Sequence, residues 1–250
     1  MLEIKNLSVS YGKKEVLKNL SLSFEKGKIT SLIGPNGCGK TTLLNYISGI
    51  IPQKKDTFFI NGCDSFYLKR KERARKIAYL IQGKNIPDMT VENLVLHGRY
   101  PHTAFGGAYS KDDKLIAFEA MEKLHISHLA KNRLSTLSGG MKQNAFIAMA
   151  LCQSSEYILM DEPTTYLDIS AQAKLLKLFC NLSGEEKGIV SVLHDLPLAL
   201  TLSDSIAVMS EGKIIMQDTP ENIYKSGVIK KVFGAEVIKA PENDGYYYHL

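Results

Sequence analysis

Two short stretches carry residue types and spacings suited to phosphate chemistry. Gly34-Pro35-Asn36-Gly37-Cys38-Gly39-Lys40-Thr41-Thr42 fits the pattern G-x-x-x-x-G-K-[ST]. Glycines let the backbone N–H groups turn inward around an anion. A helix starting after them adds unpaired donors and the positive end of its dipole. Lys40 is suited to supply a point charge to outer phosphates, and the Thr41 hydroxyl can ligate Mg²⁺. The second stretch is Asp161-Glu162, directly after the apolar run Tyr157-Ile158-Leu159-Met160. Buried acids without a partner are costly, so two carboxylates at a strand end call for a cation or a substrate nearby. Asp161 is suited to hold Mg²⁺ through water opposite Thr41, and Glu162 to orient and deprotonate an attacking water.

The surrounding elements must bring these stretches together. Ile29-Thr30-Ser31-Leu32-Ile33 reads as a buried strand feeding the glycine loop, and residues 41–48 as the helix after it. Residues 157–160 and 189–193 are continuous apolar runs, the signature of strands buried on both faces of a parallel sheet. Such sheets bind ligands at the carboxyl ends of their strands. Upstream, residues 2–11 and 16–24 alternate apolar and polar, predicting an antiparallel β region. Tyr11 ends the first of these strands, where its ring suits stacking on a base. A short strand is expected at 58–60 and an apolar strand at 77–81, ending at Gln82.

The stretch from about 83 to 155 changes to helical periods. One helix starts at Thr90, and Ser110-Lys111-Asp112-Asp113 fits a capping box for another. In that helix Leu115, Phe118, Met121 and Leu124 recur at steps of three, predicting one apolar face. Residues 206–209 and 213–216 flank Glu211-Gly212 as a β-hairpin, and the tail carries Tyr246-Tyr247-Tyr248. The basic run Lys69-Arg70-Lys71-Glu72-Arg73-Ala74-Arg75-Lys76 reads as a solvated helix face.

Composition sets outer bounds. The chain has 250 residues, 44% hydrophobic and 23% charged, ordinary for a globular protein. No apolar run reaches the ~18 residues of a transmembrane helix, and the N-terminus lacks a signal-peptide core. A cytosolic chain is expected unless it is tethered. The four cysteines, at 38, 63, 152 and 180, lack C-x-x-C spacing, so reduced and mostly buried thiols are expected instead of zinc or disulfides. Cys38 inside the loop is a place where thiol reagents could block nucleotide binding. The net charge of +5 is too mild to choose between membrane and nucleic acid.

Taken in order, the motifs resemble the ATPase subunits of ABC transporters over essentially the whole chain. Leu137-Ser138-Gly139-Gly140-Met141 resembles the family signature, Gln82 the Q-loop, Tyr166-Leu167-Asp168 the D-loop, His194 the switch histidine and Tyr11 the A-loop aromatic. The resemblance implies a single P-loop ATPase domain with an α/β fold. Its core spans 1–82 and 156–250 and holds the parallel sheet and the antiparallel β region. The helical subdomain spans about 83–155. It implies ATP and Mg²⁺ as cofactors. ATP would lie in Gly34–Thr42 of one subunit, closed over by Ser138, Gly139 and Gly140 of a second, head-to-tail subunit. Glu162, His194 and Gln82 would be catalytic, with Thr41, Gln82 and Asp161 around the metal and His194 on the terminal phosphate. The partners implied are a second ATPase copy, a polytopic membrane permease and, indirectly, a substrate-binding protein. The chain would sit at the cytoplasmic face of the membrane as a peripheral subunit, without binding nucleic acid.

Met141 departs from the usual Gln or Glu, and Asn144 from a common arginine. A thioether is a very weak acceptor, so a slightly weaker closed dimer is expected. Leu96-His97-Gly98-Arg99-Tyr100-Pro101-His102 resembles the importer group for iron–siderophore complexes, haem and vitamin B12, and Asp161-Glu162-Pro163-Thr164-Thr165-Tyr166-Leu167-Asp168-Ile169 resembles the siderophore group closely. Import of an iron(III) chelate is expected first. Haem, cobalamin or another metal complex remain as cargo alternatives. A non-transport ABC ATPase acting on nucleic acid or the ribosome is the alternative of a different class. Arg99, Tyr100 and Pro101 are placed by the same resemblance near a permease-docking groove, or in a loop that packs the insert.

Overall fold

A computed structural model describes residues 1–80, 88–103, 108–165, 167–240 and 245–249. Gln82 and Tyr166 lie outside these described residues.

The alternating N-terminal segments form β1 (Leu2–Tyr11) and β2 (Lys14–Phe24), paired antiparallel. Their buried positions, among them Leu2, Ile4, Leu7, Leu20 and Phe24, come from the apolar half of the alternation. β3 (Ile29–Ile33) is buried at every position and leads through the glycine loop into α1 (Lys40–Ser48). β4 (Phe58–Ile60) and β5 (Cys63–Asp64) extend the first sheet in the order β2-β1-β4-β5. α2 (Arg70–Lys76) then leads into β6 (Ile77–Leu80).

Between β6 and the next strand the described chain is helical: α3 (Val91–His97), α4 (Lys111–Lys123) and α5 (Gly139–Cys152). Thr90 caps α3 by accepting from the Asn93 amide, and Ser110 with Asp113 forms the expected capping box on α4. Of the expected apolar face of α4, Met121 and Leu124 pack but Leu115 and Phe118 do not. Leu115 and Phe118 are 57% and 50% exposed, while Ala117, Ala120 and Met121 are buried. At about 100° per residue, each step of three rotates back by about 60°, so Leu115 and Leu124 end on opposite sides of the helix. Ala117, Ala120, Met121 and Leu124, spaced i, i+3, i+4 and i+7, hold one side.

β7 (Tyr157–Asp161) follows, then α6 (Ile169–Gly184), β8 (Gly188–Val192), α7 (Leu196–Leu202), β9 (Ser205–Ser210) and β10 (Lys213–Asp218). The second sheet has six strands in the order β10-β9-β3-β8-β7-β6. β9, β3, β8, β7 and β6 are mutually parallel, and the predicted hairpin places β10 antiparallel on its edge. The chain continues through α8 (Pro220–Lys225), α9 (Val228–Phe233), β11 (Glu236–Lys239) and β12 (Tyr246–His249). β11 and β12 make a separate two-stranded antiparallel sheet.

One apolar cluster joins α3, α4, α5 and α6 to the large sheet through residues such as Ile158, Met160 and Phe179. A second fills the space between the two larger sheets around α1, and a third joins the large sheet to α7, α8, α9 and β11.

The basic run is not simply a solvated face. Arg73 donates to Gln53 Oε1 at 2.8 Å, Arg75 to the Pro101 carbonyl at 2.9 Å and Lys71 to the Thr103 carbonyl at 2.9 Å. Cations on the exposed side of α2 thus dock the segment following α3. The cysteines also divide differently from expectation: Cys38 and Cys152 are buried, whereas Cys63 and Cys180 are exposed.

Candidate functional site

The site is assembled by strand register. Leu32 of β3 stands beside Val192 of β8, and Val192 beside Asp161 of β7. Three adjacent parallel strands therefore end at one level, roughly 4.8 Å apart. β3 releases the glycine loop there, β7 delivers Asp161 and Glu162, and β8 delivers His194. This is the carboxyl edge where the sequence placed the chemistry.

The glycine loop needs its glycines. Gly37 and Gly39 hold φ of 76° and 112°, in a region L side chains rarely adopt. A Cβ on Gly34 would lie 2.3 Å from the Met209 carbonyl oxygen, so the loop's entry is pressed against β9. The Cys38 carbonyl accepts from Gly212 N–H at 3.1 Å, which ties the loop to the β9–β10 turn. Cys38 is buried and its thiol pKa is pushed up by that burial, so it is kept in the unreactive thiol form.

Lys40 is buried and folds back over the loop. Its Nζ donates to the Gly34 carbonyl at 2.7 Å and the Pro35 carbonyl at 3.1 Å. The charge is thus held at the mouth of the loop by oxygens that a phosphate could displace. Thr41 Oγ1 donates to Asp161 Oδ2 at 2.8 Å across 120 residues of sequence. Asp161 is 5% exposed, and burial pushes its carboxyl pKa up. The Glu162 charge adds to that rise, while the Thr41 hydrogen bond, Lys40 and His194 oppose it.

Glu162 sits just past β7 with φ of 52°, a strained value for a residue with a Cβ. Its Oε1 accepts from His194 Nε2 at 2.5 Å, and its Oε2 accepts from Thr165 Oγ1 at 3.5 Å. The strained backbone turns the carboxylate toward the neighbouring strand end.

Thr41, Asp161, Glu162, His194 and Lys40 are therefore brought together. Tyr11 closes β1 opposite Lys14 and is 54% exposed, so its ring face is open. Ser138, Gly139 and Gly140 stand elsewhere, at the exposed start of α5. Ser138 caps that helix by accepting from Met141 N–H at 3.3 Å, and among the described residues no hydrogen bond links the three to the glycine loop. Met141 is 42% exposed.

Three contacts were not foreseen. Gln143, one turn into α5, donates to the Pro163 carbonyl at 3.0 Å and links the signature helix to the residue after Glu162. Arg99 is buried, donating to Asp113 Oδ1 at 2.8 Å, to the Cys152 carbonyl at 3.0 Å and to Ser154 Oγ at 3.0 Å. Of the Arg99-Tyr100-Pro101 stretch only Tyr100 faces out, at 57% exposure. Tyr248 reaches the helix after His194. Arg99 had a signal in its short spacing to Asp113; the other two are long-range meetings that no local pattern encodes.

The sequence matches the ABC transporter family over residues 17–165. It is 40% identical over 231 residues to the ferric enterobactin transport ATP-binding protein FepC of Escherichia coli strain K12, covering 91% of this chain and 85% of that protein. It is 36% identical over 247 residues to the iron(3+)-hydroxamate import ATP-binding protein FhuC of Bacillus subtilis strain 168, covering 97% and 92%. Among solved structures, the ATP-binding cassette MJ0796, dimeric in a post-hydrolysis state with ADP and Pi, matches with a TM-score of 0.77. Identity is 27%, over 88% of this chain and 99% of that one.

Proposed function

Since the chain belongs to the ABC transporter family, we propose that it is the ATP-hydrolysing subunit of an importer for an iron(III)–siderophore complex. The observation that carries the hydrolytic part is the Thr41–Asp161 and Glu162–His194 pairing at the ends of three adjacent strands. The cargo class rests on likeness to FepC and FhuC over nearly the whole chain, because an ATPase subunit does not touch cargo.

Each residue then has a task. The glycine-loop amides and Lys40 hold the β- and γ-phosphates, and Tyr11 offers its exposed ring to the base. The donor set of Thr41 and Asp161 fits magnesium: a hydroxyl and a carboxylate are hard oxygen ligands, and the buried carboxylate is under-compensated where it stands. Gln82 is assigned to the same metal through the family pattern alone. Magnesium held by Thr41 and Asp161 would supply positive charge to the outer phosphates. Glu162 takes a proton from the attacking water. The His194 imidazole, now donating to Glu162, is free to turn its N–H to the terminal phosphate once nucleotide arrives, which leaves the carboxylate available as base.

Half of an anion site is missing from this arrangement. Ser138 and Gly139 are exposed at the start of α5, and among the described residues no hydrogen bond joins them or Gly140 to the chain's own loop. A second, head-to-tail copy supplies them, as the dimeric MJ0796 cassette supports. Among the described residues no helix is long and apolar enough to cross a membrane. Likeness to the import ATP-binding proteins FepC and FhuC supports a polytopic permease as the part that carries the cargo, with this chain docked on its cytoplasmic side.

The test is co-purification with the tagged chain from detergent-solubilised membranes. ATP turnover is then measured with the cognate binding protein loaded with ferric siderophore, haem or cobalamin. A permease and selective stimulation by the ferric siderophore are expected. Stimulation by haem or cobalamin alone would move the cargo. Recovery on ribosomes or DNA without any permease would overturn transport.

A further inference from the structure

The helix that follows His194 is completed by a residue from the far end of the chain. A helix start leaves its first amides without carbonyl partners inside the helix. In α7, Pro197 has no N–H to satisfy, and Leu198 donates to the Asp195 side chain at 3.0 Å. The amide of buried Leu196, the first helical residue, donates to the Tyr248 hydroxyl oxygen at 3.0 Å. The tail hydroxyl thus serves an amide that the helix itself cannot pair.

Tyr248 is held there by its own sheet. It stands opposite Val237 in the β11–β12 register. Val237 packs in the apolar cluster that also contains Leu193 and Leu196, the residues on either side of His194-Asp195, and Ile33, the residue before Gly34. Tyr246 adds an edge-on ring contact to Tyr224 at 5.3 Å, and the Tyr224 hydroxyl accepts from Lys239 N–H at 3.4 Å. The hairpin is therefore anchored on two sides, with one hydroxyl placed against the turn that presents the histidine.

We propose that Tyr248 is a positioning residue for His194. By satisfying the Leu196 amide it fixes the first turn of α7. It thereby fixes the backbone from which the imidazole reaches Glu162 Oε1 at 2.5 Å. The hydrogen bond is partly buried, with Tyr248 43% exposed, so without the hydroxyl the amide loses its fixed partner and this turn loosens. The C-terminal strands thereby become part of the site's geometry. This rests on the reading of His194 as a member of the hydrolytic site.

The experiment uses the full chain with Tyr248→Phe, His194→Ala and the two combined. MgATP turnover, ATP binding at equilibrium and hydrogen exchange at the Leu196 amide are measured for each. Tyr248→Phe keeps the ring and removes only the hydroxyl. The expected result is about fivefold lower kcat with KM changed by less than about twofold, since an interaction that orients a catalytic group acts on turnover. Leu196 should exchange about tenfold faster while the strands keep their protection. In the His194→Ala background the Tyr248→Phe change should cost nothing further. An equal loss in both backgrounds would overturn the positioning role, as would unchanged kcat beside a His194→Ala chain that has lost turnover. If His194→Ala itself retains full turnover, the reading of the site fails, and the role of Tyr248 falls with it. Protection of Leu196 in the unsubstituted chain is a requirement of its own, and its absence would also overturn the proposal.

Discussion

Two hydrogen-bonded aspartates, Asp161 buried at the sheet edge and Asp113 half-buried at the edge of the helical insert, are treated in opposite ways. Asp161 accepts from the Thr41 hydroxyl at 2.8 Å, and burial drives its pKa up. Asp113 accepts from Arg99 Nε at 2.8 Å and from the Ser110 backbone and hydroxyl at 3.0 and 2.8 Å. The Arg99 guanidinium, with help from the Ser110 amide, holds Asp113 down to about 2. Both regions are built from a carboxylate beside a hydroxyl. The difference is a buried cation that fully compensates one and not the other. A compensated acid belongs to the architecture, whereas an under-compensated acid at a strand end is a place for something that arrives from outside.

The largest expected effect tests the sheet edge. Glu162→Gln should lower kcat by about 10²–10³-fold while leaving ATP binding nearly intact, because the amide keeps the shape and loses the base. Near-normal turnover would remove Glu162 from that role.

The next sharpens the insert side. Arg99→Ala takes from Asp113 its charged partner, leaving only the two Ser110 donors, and from the Cys152 carbonyl its shorter hydrogen bond, and should cost about 3 kcal/mol in urea unfolding near neutral pH. The sign with pH follows from the depressed pKa. The folded acid is charged where the unfolded one, near 3.9, begins to take a proton. The contribution is whole above the unfolded value and is lost as pH falls through the folded value of about 2. The gap between the unsubstituted chain and Arg99→Ala should therefore narrow from about pH 4 down to about pH 2.

Asp161→Asn should move stability the other way. With its pKa raised, folded Asp161 keeps a proton that the unfolded chain has already released, so stability falls as pH rises through that interval. The neutral amide removes this penalty and can still accept from Thr41. Calorimetry of the nucleotide-free chain should show Tm higher by about 2 °C, while magnesium-dependent ATP turnover is lost. A lower Tm would mean that Asp161 is already compensated, and the contrast between the two regions would disappear.

The smallest effect concerns the signature helix. Met141→Gln restores an acceptor on an exposed position, worth about 1 kcal/mol across a closed dimer. The ATP concentration for half-maximal turnover should fall a few fold. No change would mean that the side chain at 141 does not reach the partner.

Much of the site could be read without coordinates. The glycine loop, the Asp161-Glu162 strand end and the caps at Thr90 and Ser110 are local patterns, and local patterns survive folding because backbone geometry sets them. The buried strands were legible for the same reason, since a segment covered on both faces must be apolar throughout. Reading α4 at steps of three failed for Leu115 and Phe118 because the helix repeat is 3.6 residues, which separates Leu115 from Leu124. The basic run on α2 was misread because solvation depends on which neighbour arrives, and Tyr100–His102 with Thr103 arrives there.

By itself the sequence determined the groups on offer: a glycine loop with Lys40 and Thr41, two carboxylates, a histidine and a helix opened by Ser138-Gly139-Gly140, each on an element of the right kind. Only the tertiary structure decided the meetings. The register across β3, β8 and β7 set Thr41 against Asp161 and His194 against Glu162. The insert turned Arg99 inward, and the last strand brought Tyr248 to the helix after His194. The physical reason is range: propensity and periodicity act over a turn or a strand, whereas register and packing are fixed by contacts between segments far apart in the chain.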